Sequence, residues 1–353
     1  MMDQSQPASD GERFIWRPSP DAPLPTLDSE RLFASDSADT ADIRLTIAIP
    51  TYRRPELMAE TVASILAQTD LDGVELLIVD DDPATNGEAA LLAAFPRLRD
   101  IPFRYYRNTV NAGLFGNWNR TLALARGSWF TLINDDDLLA PGFVAAIRHA
   151  QAAEPSADAI ACSLRFLDQR DGSGDTSAPL PASERVRNIF RFGLSSRRQL
   201  KPKQMFFGSI VGSGLGLVVR TEVIRALGGY RAADYPSADY FFMTRLARFH
   251  RFIQLRDALA ISRVADNVSN RPETQLGFLK RQARLQEALL DSGVAPRWWR
   301  RLRPVSLGIA LRHTNNYWHQ QFAPEDVARE IAAPISMRHL RPVRWYRLAI
   351  GAV

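Results

Sequence analysis

Short apolar runs of strand length alternate with helix-like segments from residue 45 onward, and this alternation restricts the chain to the α/β class. The first helix-like segment spaces Met58, Val62 and Ile65 three to four positions apart, so that one face is apolar. Such a pattern predicts a mostly parallel sheet joined by right-handed crossovers. The apolar runs are LTIAIP (Leu45 to Pro50), VELLIVD (Val74 to Asp80), FRYYRN (Phe103 to Asn108), SWFTLIN (Ser128 to Asn134) and AIACSLRF (Ala159 to Phe166).

Polar clusters stand where three of these runs end. They are Pro50-Thr51-Tyr52, Asp80-Asp81-Asp82 and Asn134-Asp135-Asp136-Asp137. The carboxyl ends of parallel strands lie at one edge of a sheet, and ligands bind beyond that edge in open α/β folds. The sequence therefore predicts that these clusters share one ligand site.

The two acidic clusters each have two interpretations. In NDDDLLAPG, adjacent carboxylates repel one another, so a divalent cation is one expected partner and a solvated turn before Pro141 is the alternative. The aspartates at positions 80 to 82 are acceptors suited to a base or ribose, or else form an Asx-type turn with Pro83.

Composition narrows the class of protein further. Hydrophobic residues make up 46% of the chain and charged residues 24%, and both values are typical of globular proteins. They exclude a wholly disordered chain, a collagen-like fibre and a coiled coil. No apolar run approaches the roughly 18 residues that span a bilayer, and the chain does not open with a signal-peptide pattern. With the lone cysteine, Cys162, these features predict a cytoplasmic protein.

Three segments in a fixed order carry a resemblance to a known family. They are LTIAIPTYRRPELMAETVASILAQT, then VELLIVDDD, then NAGLFGNWNRTLALARGSWFTLINDDDLLAPG, and together they span about 100 residues. This order resembles the nucleotide-binding half of family 2 glycosyltransferases of the bacterial polysaccharide type, which have the GT-A fold. GSGLGLVVRTEVIRALGGYRAADYPSADYFFMTRLAR resembles, more weakly, the acceptor-side segment of the same family.

The resemblance implies a set of site residues. Asp239 falls where the family has its catalytic base, and Asp136 falls where it has a ligand for Mg²⁺ or Mn²⁺, with Asp135 or Asp137 beside it. Asp234 is the alternative base. The residues that would contact the nucleotide-sugar are Pro50, Thr51, Tyr52, Asp81, Asn111, Gly113 and Asp135.

Three positions depart from the family pattern. Asn134 stands at the first carboxylate position of the longer DXD alignment, and Ala238 replaces the glutamate before the base. Ala265 replaces a histidine that often holds the diphosphate or metal in the family, which leaves Asp266 as a substitute or the third protein ligand absent.

The implied organisation has four parts. We expect a disordered or surface-wrapping arm over residues 1–42 and a nucleotide-sugar-binding half over 43–158. An acceptor-binding half over 159–272 and a helical, basic C-terminal extension over 273–353 follow. The fold class is thus α/β, a GT-A fold whose mostly parallel central sheet is flanked by helices.

The implied function is inverting, metal-dependent transfer of a sugar from a nucleotide-diphosphate sugar to a hydroxyl of a glycan or lipid-linked glycan. The alternative is a non-catalytic basic module that binds nucleic acid or a membrane surface, because the net charge is +5. From Arg297 onward the sequence has ten arginines, only three acidic residues and four tryptophans. This composition predicts either contact with an anionic membrane surface or a helical core in which the tryptophans are packed. A nucleotidyltransferase is disfavoured, because PTYRRPEL has no glycine.

Overall fold

The computed structural model describes Trp16 and residues 27–170, 188–189, 191–193, 195–265, 268–338 and 340–349. Ten strands occur in this part of the chain: β1 Ser29–Ala34, β2 Leu45–Thr51, β3 Val74–Asp80, β4 Phe103–Asn108, β5 Trp129–Leu132, β6 Leu138–Leu139, β7 Ala159–Asp168, β8 Arg197–Gln199, β9 Leu217–Arg220 and β10 Phe252–Val264. The α-helices described are α1 Pro55–Leu66, α2 Gly87–Ala94, α3 Gly113–Leu124, α4 Phe143–Ala153, α5 Thr221–Ala226, α6 Ala238–Phe249, α7 Pro272–Asp291, α8 Arg303–Tyr317, α9 Pro324–Glu330 and α10 Leu340–Ala349. Short 3-10 helices include Pro96–Arg99, Pro202–Phe207, Ala232–Asp234 and Arg297–Arg301.

All ten strands belong to one sheet, in the order β1-β4-β3-β2-β5-β9-β7-β10-β6, with β8 also paired to β10. Six strands run in one direction, namely β2, β3, β4, β5, β7 and β10. β9 runs against its neighbours β5 and β7. The two halves predicted from the sequence, residues 43–158 and 159–272, are thus parts of one continuous sheet.

The central strands form because their residues are buried on both faces. Every residue of β2 and of β3 is buried, as expected for a parallel sheet covered by helices. One apolar cluster includes Met58 and Val62 of α1, and another includes Phe241 and Phe242 of α6. The two clusters take alternate residues of the same strands, such as Leu76 and Leu77, so they lie on opposite faces of the sheet.

Two elements differ from the sequence prediction. Ser29–Ala34, predicted to be part of the arm, forms β1, which pairs antiparallel with β4; residues 1–15 and 17–26 of that arm lie outside the described part. GSGLGLVV (Gly212 to Val219), which the sequence predicts as a strand with a glycine-rich start, begins as a loop, and β9 starts only at Leu217. Gly216 explains this delay: its φ is +72°, and a Cβ there would lie 2.5 Å from the Cys162 Sγ.

The helices after β10 account for the last described part of the chain. α7 and α10 both pack on α8. Trp299 is buried and donates its Nε1–H to the Tyr346 hydroxyl at 3.0 Å, which ties α10 to this helical unit. None of the helices in the described ranges is both long and apolar enough to cross a membrane.

Candidate active site

The sheet register brings the three predicted clusters to one edge. Thr51 at the end of β2 pairs with Asp80 at the end of β3. Ala48 of β2 pairs with Leu132, the last residue of β5, so the loop that begins at Asn134 leaves the sheet beside the end of β2. The predicted convergence of these clusters is therefore confirmed by backbone pairing.

Asp135 is fixed against the end of β2. Its Oδ2 accepts hydrogen bonds from the Thr51 hydroxyl at 2.9 Å and from the Tyr52 backbone N–H at 3.4 Å. Asp135 is buried, and this burial raises the pKa of its carboxyl above the ordinary range. Two of the predicted nucleotide contacts, Thr51 and Tyr52, thus position a third.

Asp136 is more accessible, and an arginine lies against it. The Arg54 Nη1 is 3.1 Å from the Asp136 Oδ2 and 3.5 Å from the Asp135 Oδ1. Arg54 is the residue just before α1, and its side chain is 44% exposed, so solvent reaches this ion pair. Sequence reasoning did not single out Arg54, although the crowding of carboxylates signalled that a positive partner was required.

Asp137 points away from the other two carboxylates. Its Oδ2 accepts a hydrogen bond from the Asn134 Nδ2 at 3.0 Å, and its Oδ1 accepts one from the Arg263 backbone N–H at 3.0 Å. Burial raises the pKa of its carboxyl to about 7. The prediction that Asp137 could serve as a second metal ligand is therefore not supported: both of its oxygens are used inside the protein.

Arg263, which lies on β10, contacts the loop of residues 134–137. Besides the contact with Asp137, its Nε donates to the Asp136 carbonyl at 2.9 Å, and its guanidinium pairs with Glu60 of α1. Ala260, three residues earlier on the same strand, pairs with Leu139 of β6. No local sequence signal indicates this link, because Asp137 and Arg263 lie more than 120 positions apart.

Asp81 organises the loop that begins α3. Its carboxylate accepts hydrogen bonds from the Asn108 side chain at 2.7 Å and from the backbone N–H groups of Ala112 and Gly113 at 2.8 and 2.9 Å. The Asn111 side chain in turn donates to the Asp81 carbonyl at 3.1 Å. Of the predicted nucleotide contacts, Asp81, Asn111 and Gly113 thus form one hydrogen-bonded unit.

The remaining predicted contacts flank this unit. Pro50 is buried inside β2, opposite Val79, whereas the Tyr52 side chain is 43% exposed at the sheet edge. The Arg53 guanidinium lies over the Tyr52 ring and donates to the Asp82 carboxylate at 2.7 Å. That hydrogen bond holds the pKa of Asp82 below its usual range.

The predicted base, Asp239, reaches the same edge from the acceptor half. It stands in the first turn of α6, and its Oδ2 accepts the backbone N–H of Gly214 at 3.1 Å. Gly214 precedes β9, which runs antiparallel to β5, so the loop before β9 lies where β5 ends. A Cβ at Gly214 would come within 3.3 Å of the Asp239 Cβ, which explains why a glycine suits this close approach.

Burial changes the acid-base character expected of Asp239. A position in the first turn of a helix by itself favours the ionised form of an aspartate and makes it a weaker base. Desolvation by the surrounding protein instead raises the pKa of Asp239, against the smaller opposing effect of hydrogen bonds from Tyr240 and Gly214. A raised pKa makes this carboxylate a stronger proton acceptor.

Asp234, the alternative base, is committed elsewhere. Its Oδ2 lies 2.8 Å from the Arg245 Nη2, and the side chains of both residues are only 1% exposed. A carboxylate locked in a buried ion pair is neither accessible to an acceptor hydroxyl nor free to take its proton. The structure therefore disfavours Asp234 as the base and gives it a role in packing the 3-10 helix Ala232–Asp234 against α6.

This assignment predicts that Asp234→Asn destabilises the fold. We expect a loss of about 3 to 5 kcal/mol in the free energy of unfolding, because the Arg245 charge would remain buried without a counter-ion. Asp326→Asn is the matched control, since Asp326 pairs with Arg329 at the surface, where both side chains are more than two thirds exposed. Denaturant unfolding measures both; equal, small effects would contradict the assignment.

The acidic loop, residues 134–137, offers a divalent cation few protein ligands. Among the described residues, no group of three or more His, Cys, Asp or Glu side chains is arranged to hold a metal. Asp136 keeps one carboxylate oxygen with no hydrogen-bond partner in the described ranges. Ala265, which stands where the family often has a histidine, follows the last residue of β10 and supplies no side-chain ligand. Mg²⁺ commonly takes one or two carboxylates and completes its shell with substrate phosphates and water, so Asp136 alone is an adequate protein anchor. The suggested substitute, Asp266, lies outside the described residues.

Comparison with known proteins agrees with this geometry. The profile of the family described as Glycosyl transferase family 2 matches residues 46–214. The succinoglycan biosynthesis protein ExoO of Rhizobium meliloti is 28% identical over 228 residues, which cover 60% of this chain and 64% of ExoO. The abequosyltransferase RfbV of Salmonella typhimurium is 28% identical over 104 residues, 30% of this chain and 31% of RfbV. The matches thus span less than two thirds of either relative.

Solved structures share the fold over most of the chain. S. aureus TarS 1-349 in complex with UDP-GlcNAc superposes with a TM-score of 0.57 at 14% identity and covers 88% of each chain. The mannosyltransferase PcManGT from Pyrobaculum calidifontis, in complex with GDP-Man and Mn²⁺, gives a TM-score of 0.53 at 17% identity over 97% of this chain and 91% of PcManGT. The predicted GT-A fold is therefore confirmed, and the resemblance to glycosyl transferase family 2 is confirmed over residues 46–214.

Proposed function

We propose that the chain is an inverting glycosyltransferase that moves a sugar from a nucleotide-diphosphate sugar to a hydroxyl of a glycan or lipid-linked glycan. The observation that carries the proposal is the meeting of two groups at one sheet edge. Asp135, Asp136 and the Asp81 loop come from the donor half, and Asp239 comes from the acceptor half. Donor and acceptor would meet between them.

The chemistry requires a base and a stabilised leaving group. The acceptor oxygen attacks the anomeric carbon from the side opposite the diphosphate, and the bond from that carbon to the diphosphate oxygen breaks. Asp239 takes the hydroxyl proton, and the nucleoside diphosphate departs with the electron pair. The burial that raises the pKa of Asp239 supports this assignment.

Asp136 would hold Mg²⁺ or Mn²⁺ together with the donor diphosphate. Such a cation supplies charge neutralisation to the diphosphate as it leaves. The residues of the chain then have separate tasks. Thr51 and the Tyr52 backbone hold Asp135 beside the donor, and Asp81 fixes the loop of Asn111 and Gly113 next to the nucleotide.

Arg54 should compete with the cation for Asp136, because its guanidinium already lies on that carboxylate. Arg54→Gln is expected to tighten Mn²⁺ binding by the nucleotide-free protein about tenfold, because no guanidinium then has to be displaced from Asp136 before the cation binds. Arg53→Gln is the matched control, as Arg53 pairs with Asp82 and not with Asp136. Electron paramagnetic resonance of free Mn²⁺ measures both; equal affinities of the two variants would reject the competition.

Bacterial surface or exopolysaccharide synthesis is the proposed context. The names of the relatives support it, since ExoO is a succinoglycan biosynthesis protein and RfbV is an abequosyltransferase. A cytoplasmic location is part of the proposal; the single cysteine, Cys162, is buried and unpaired, as suits a reducing compartment. The donor nucleotide-sugar is supported by TarS in its UDP-GlcNAc complex.

A donor screen tests the proposal. Several UDP-, GDP- and dTDP-sugars are incubated with the purified chain and Mn²⁺, and release of the nucleoside diphosphate is followed with protection against thermal unfolding as a second readout. At least one donor should raise the melting temperature and be hydrolysed slowly. A screen in which no donor does either would count against a glycosyltransferase.

A further inference from the structure

The C-terminal helices present a face rich in arginine and tryptophan. It is formed by the 3-10 helix Arg297–Arg301 and by α10, which meet where the Trp298 and Tyr346 rings lie 5.6 Å apart. These two segments, RWWRR and LRPVRWYRLA, contain six arginines and no acidic residue. We call this the Arg/Trp face.

The tryptophans of the face divide into one core residue and two surface residues. Trp299 is 2% exposed and packs against Phe206 and Phe207, as a helical core predicts. Trp298 and Trp345, in contrast, are 52% and 64% exposed. Trp298 contacts the edges of Trp299 and Tyr346, yet it and Trp345 still present large amphipathic rings to solvent on adjoining elements.

The arginines of the face divide in the same way. Arg300 pairs with Glu287 at 2.7 Å and with Asp291 at 3.2 Å, so its charge is compensated. Four further arginines of the face are exposed and make no salt bridge within the described ranges; they are Arg297, Arg301, Arg341 and Arg344. The face thus combines uncompensated positive charge with exposed aromatic rings.

We propose that the Arg/Trp face docks the protein on an anionic lipid bilayer. Each basic residue near an anionic leaflet contributes about 1 kcal/mol, which is about fivefold in binding constant, and tryptophan rings settle at the level of the headgroups. A solvated basic surface would not need two exposed tryptophans among its arginines. Docking of this kind holds the protein beside a lipid-linked acceptor, but it does not depend on the chemistry proposed for Asp239.

In the basic run from Arg185 to Lys203, the two arginines of β8 have partners within the protein. Arg197 pairs with Glu154 at 2.9 Å, and Arg198 donates to the Gln254 side chain at 2.9 Å. Both lie on β8, which pairs with β10. The sequence predicts that the cations of this run meet the phosphates of a lipid-linked glycan, but Arg197 and Arg198 are engaged within the protein instead. Residues 185–187, 190 and 194 of the run lie outside the described residues.

Vesicle flotation with the full chain tests the docking. Vesicles of phosphatidylcholine alone are compared with vesicles that contain phosphatidylglycerol, at low and high salt. At low salt, Arg341→Gln/Arg344→Gln should weaken binding to anionic vesicles about 25-fold, and Trp298→Ala/Trp345→Ala should weaken it as well. Arg97→Gln/Arg99→Gln, which removes two exposed charges from the 3-10 helix Pro96–Arg99, is the matched control and should bind as the wild type does.

The outcomes separate docking from its rivals. Capture by anionic vesicles that is lost at high salt and in both face variants supports the proposal. Equal capture by neutral and anionic vesicles, no capture by either, or the same loss in the Arg97/Arg99 control would overturn it. Salt-sensitive binding of a single-stranded RNA without vesicle binding would also overturn it and assign the face to nucleic acid. Nucleotide-sugar hydrolysis by the face variants should equal that of the wild type, so the result is independent of the proposed function.

Discussion

Asp239→Asn is expected to lower the rate of sugar transfer by about 100-fold or more while donor affinity stays within about twofold, because the amide cannot accept the acceptor proton. The hydrogen bond from Gly214 can be kept by the amide oxygen, so the loop before β9 should remain in place. Initial-rate kinetics and calorimetric titration of the donor measure the two effects separately. An exposed acid of β10, Asp257, provides the control, and Asp257→Asn should transfer sugar at the wild-type rate.

The pH dependence of transfer is a second readout of the same residue. The base works in its ionised form, so the rate should fall as the pH drops through the pKa of Asp239. Because burial raises that pKa, the acid limb should lie above the ordinary aspartate value of about 3.9. Near-normal transfer by Asp239→Asn, with the acid limb unchanged, would show that another group takes the proton.

Asp136→Asn is expected to abolish both transfer and the metal-dependent part of nucleoside diphosphate binding. A neutral amide cannot balance the charge of the cation, and the described residues include no group of three or more His, Cys, Asp or Glu side chains that could hold it instead. The fold should survive, since Asp136 is partly exposed and its backbone carbonyl still accepts from Arg263. Thermal unfolding checks this point.

Asp72→Asn is the matched control for that variant. Asp72 carries the same charge, but its side chain is 84% exposed and pairs with Arg44 near the amino end of β3. Metal-dependent binding should be unchanged by Asp72→Asn. Retention of that binding in Asp136→Asn would remove Asp136 from the account and turn attention to Asp135.

The sequence predicted the centre of the fold better than its edges. β3 and β4 begin and end at the predicted residues. For β3 the reason is that a strand buried on both faces is rich in apolar residues along its whole length. β10 was not predicted, since Arg256, Asp257 and Arg263 interrupt its apolar pattern. β1 was missed for a similar reason, as SERLFA is short, half-polar and set in an acidic, proline-rich stretch.

The site was predictable where neighbours in sequence define it. Asp135 and Asp136 follow a recognisable strand, and their position at the sheet edge required only the rule for parallel strands. The inward turn of Asp137 was not predictable, because its partner Arg263 comes from β10. The same holds for Asp234, whose role depends on burial with Arg245 one helix away. Long-range register and burial therefore decided which carboxylates stay available.

Calorimetric titration of nucleoside diphosphates, with and without Mn²⁺, tests the central claim most directly. The account predicts that at least one of UDP, GDP and dTDP binds with Mn²⁺ and binds at least about tenfold more weakly without it, as a cation bridging Asp136 and a diphosphate requires. Failure of all three nucleotides to bind with Mn²⁺, together with metal-independent RNA binding that weakens steeply with salt, would contradict it and favour a non-catalytic basic module.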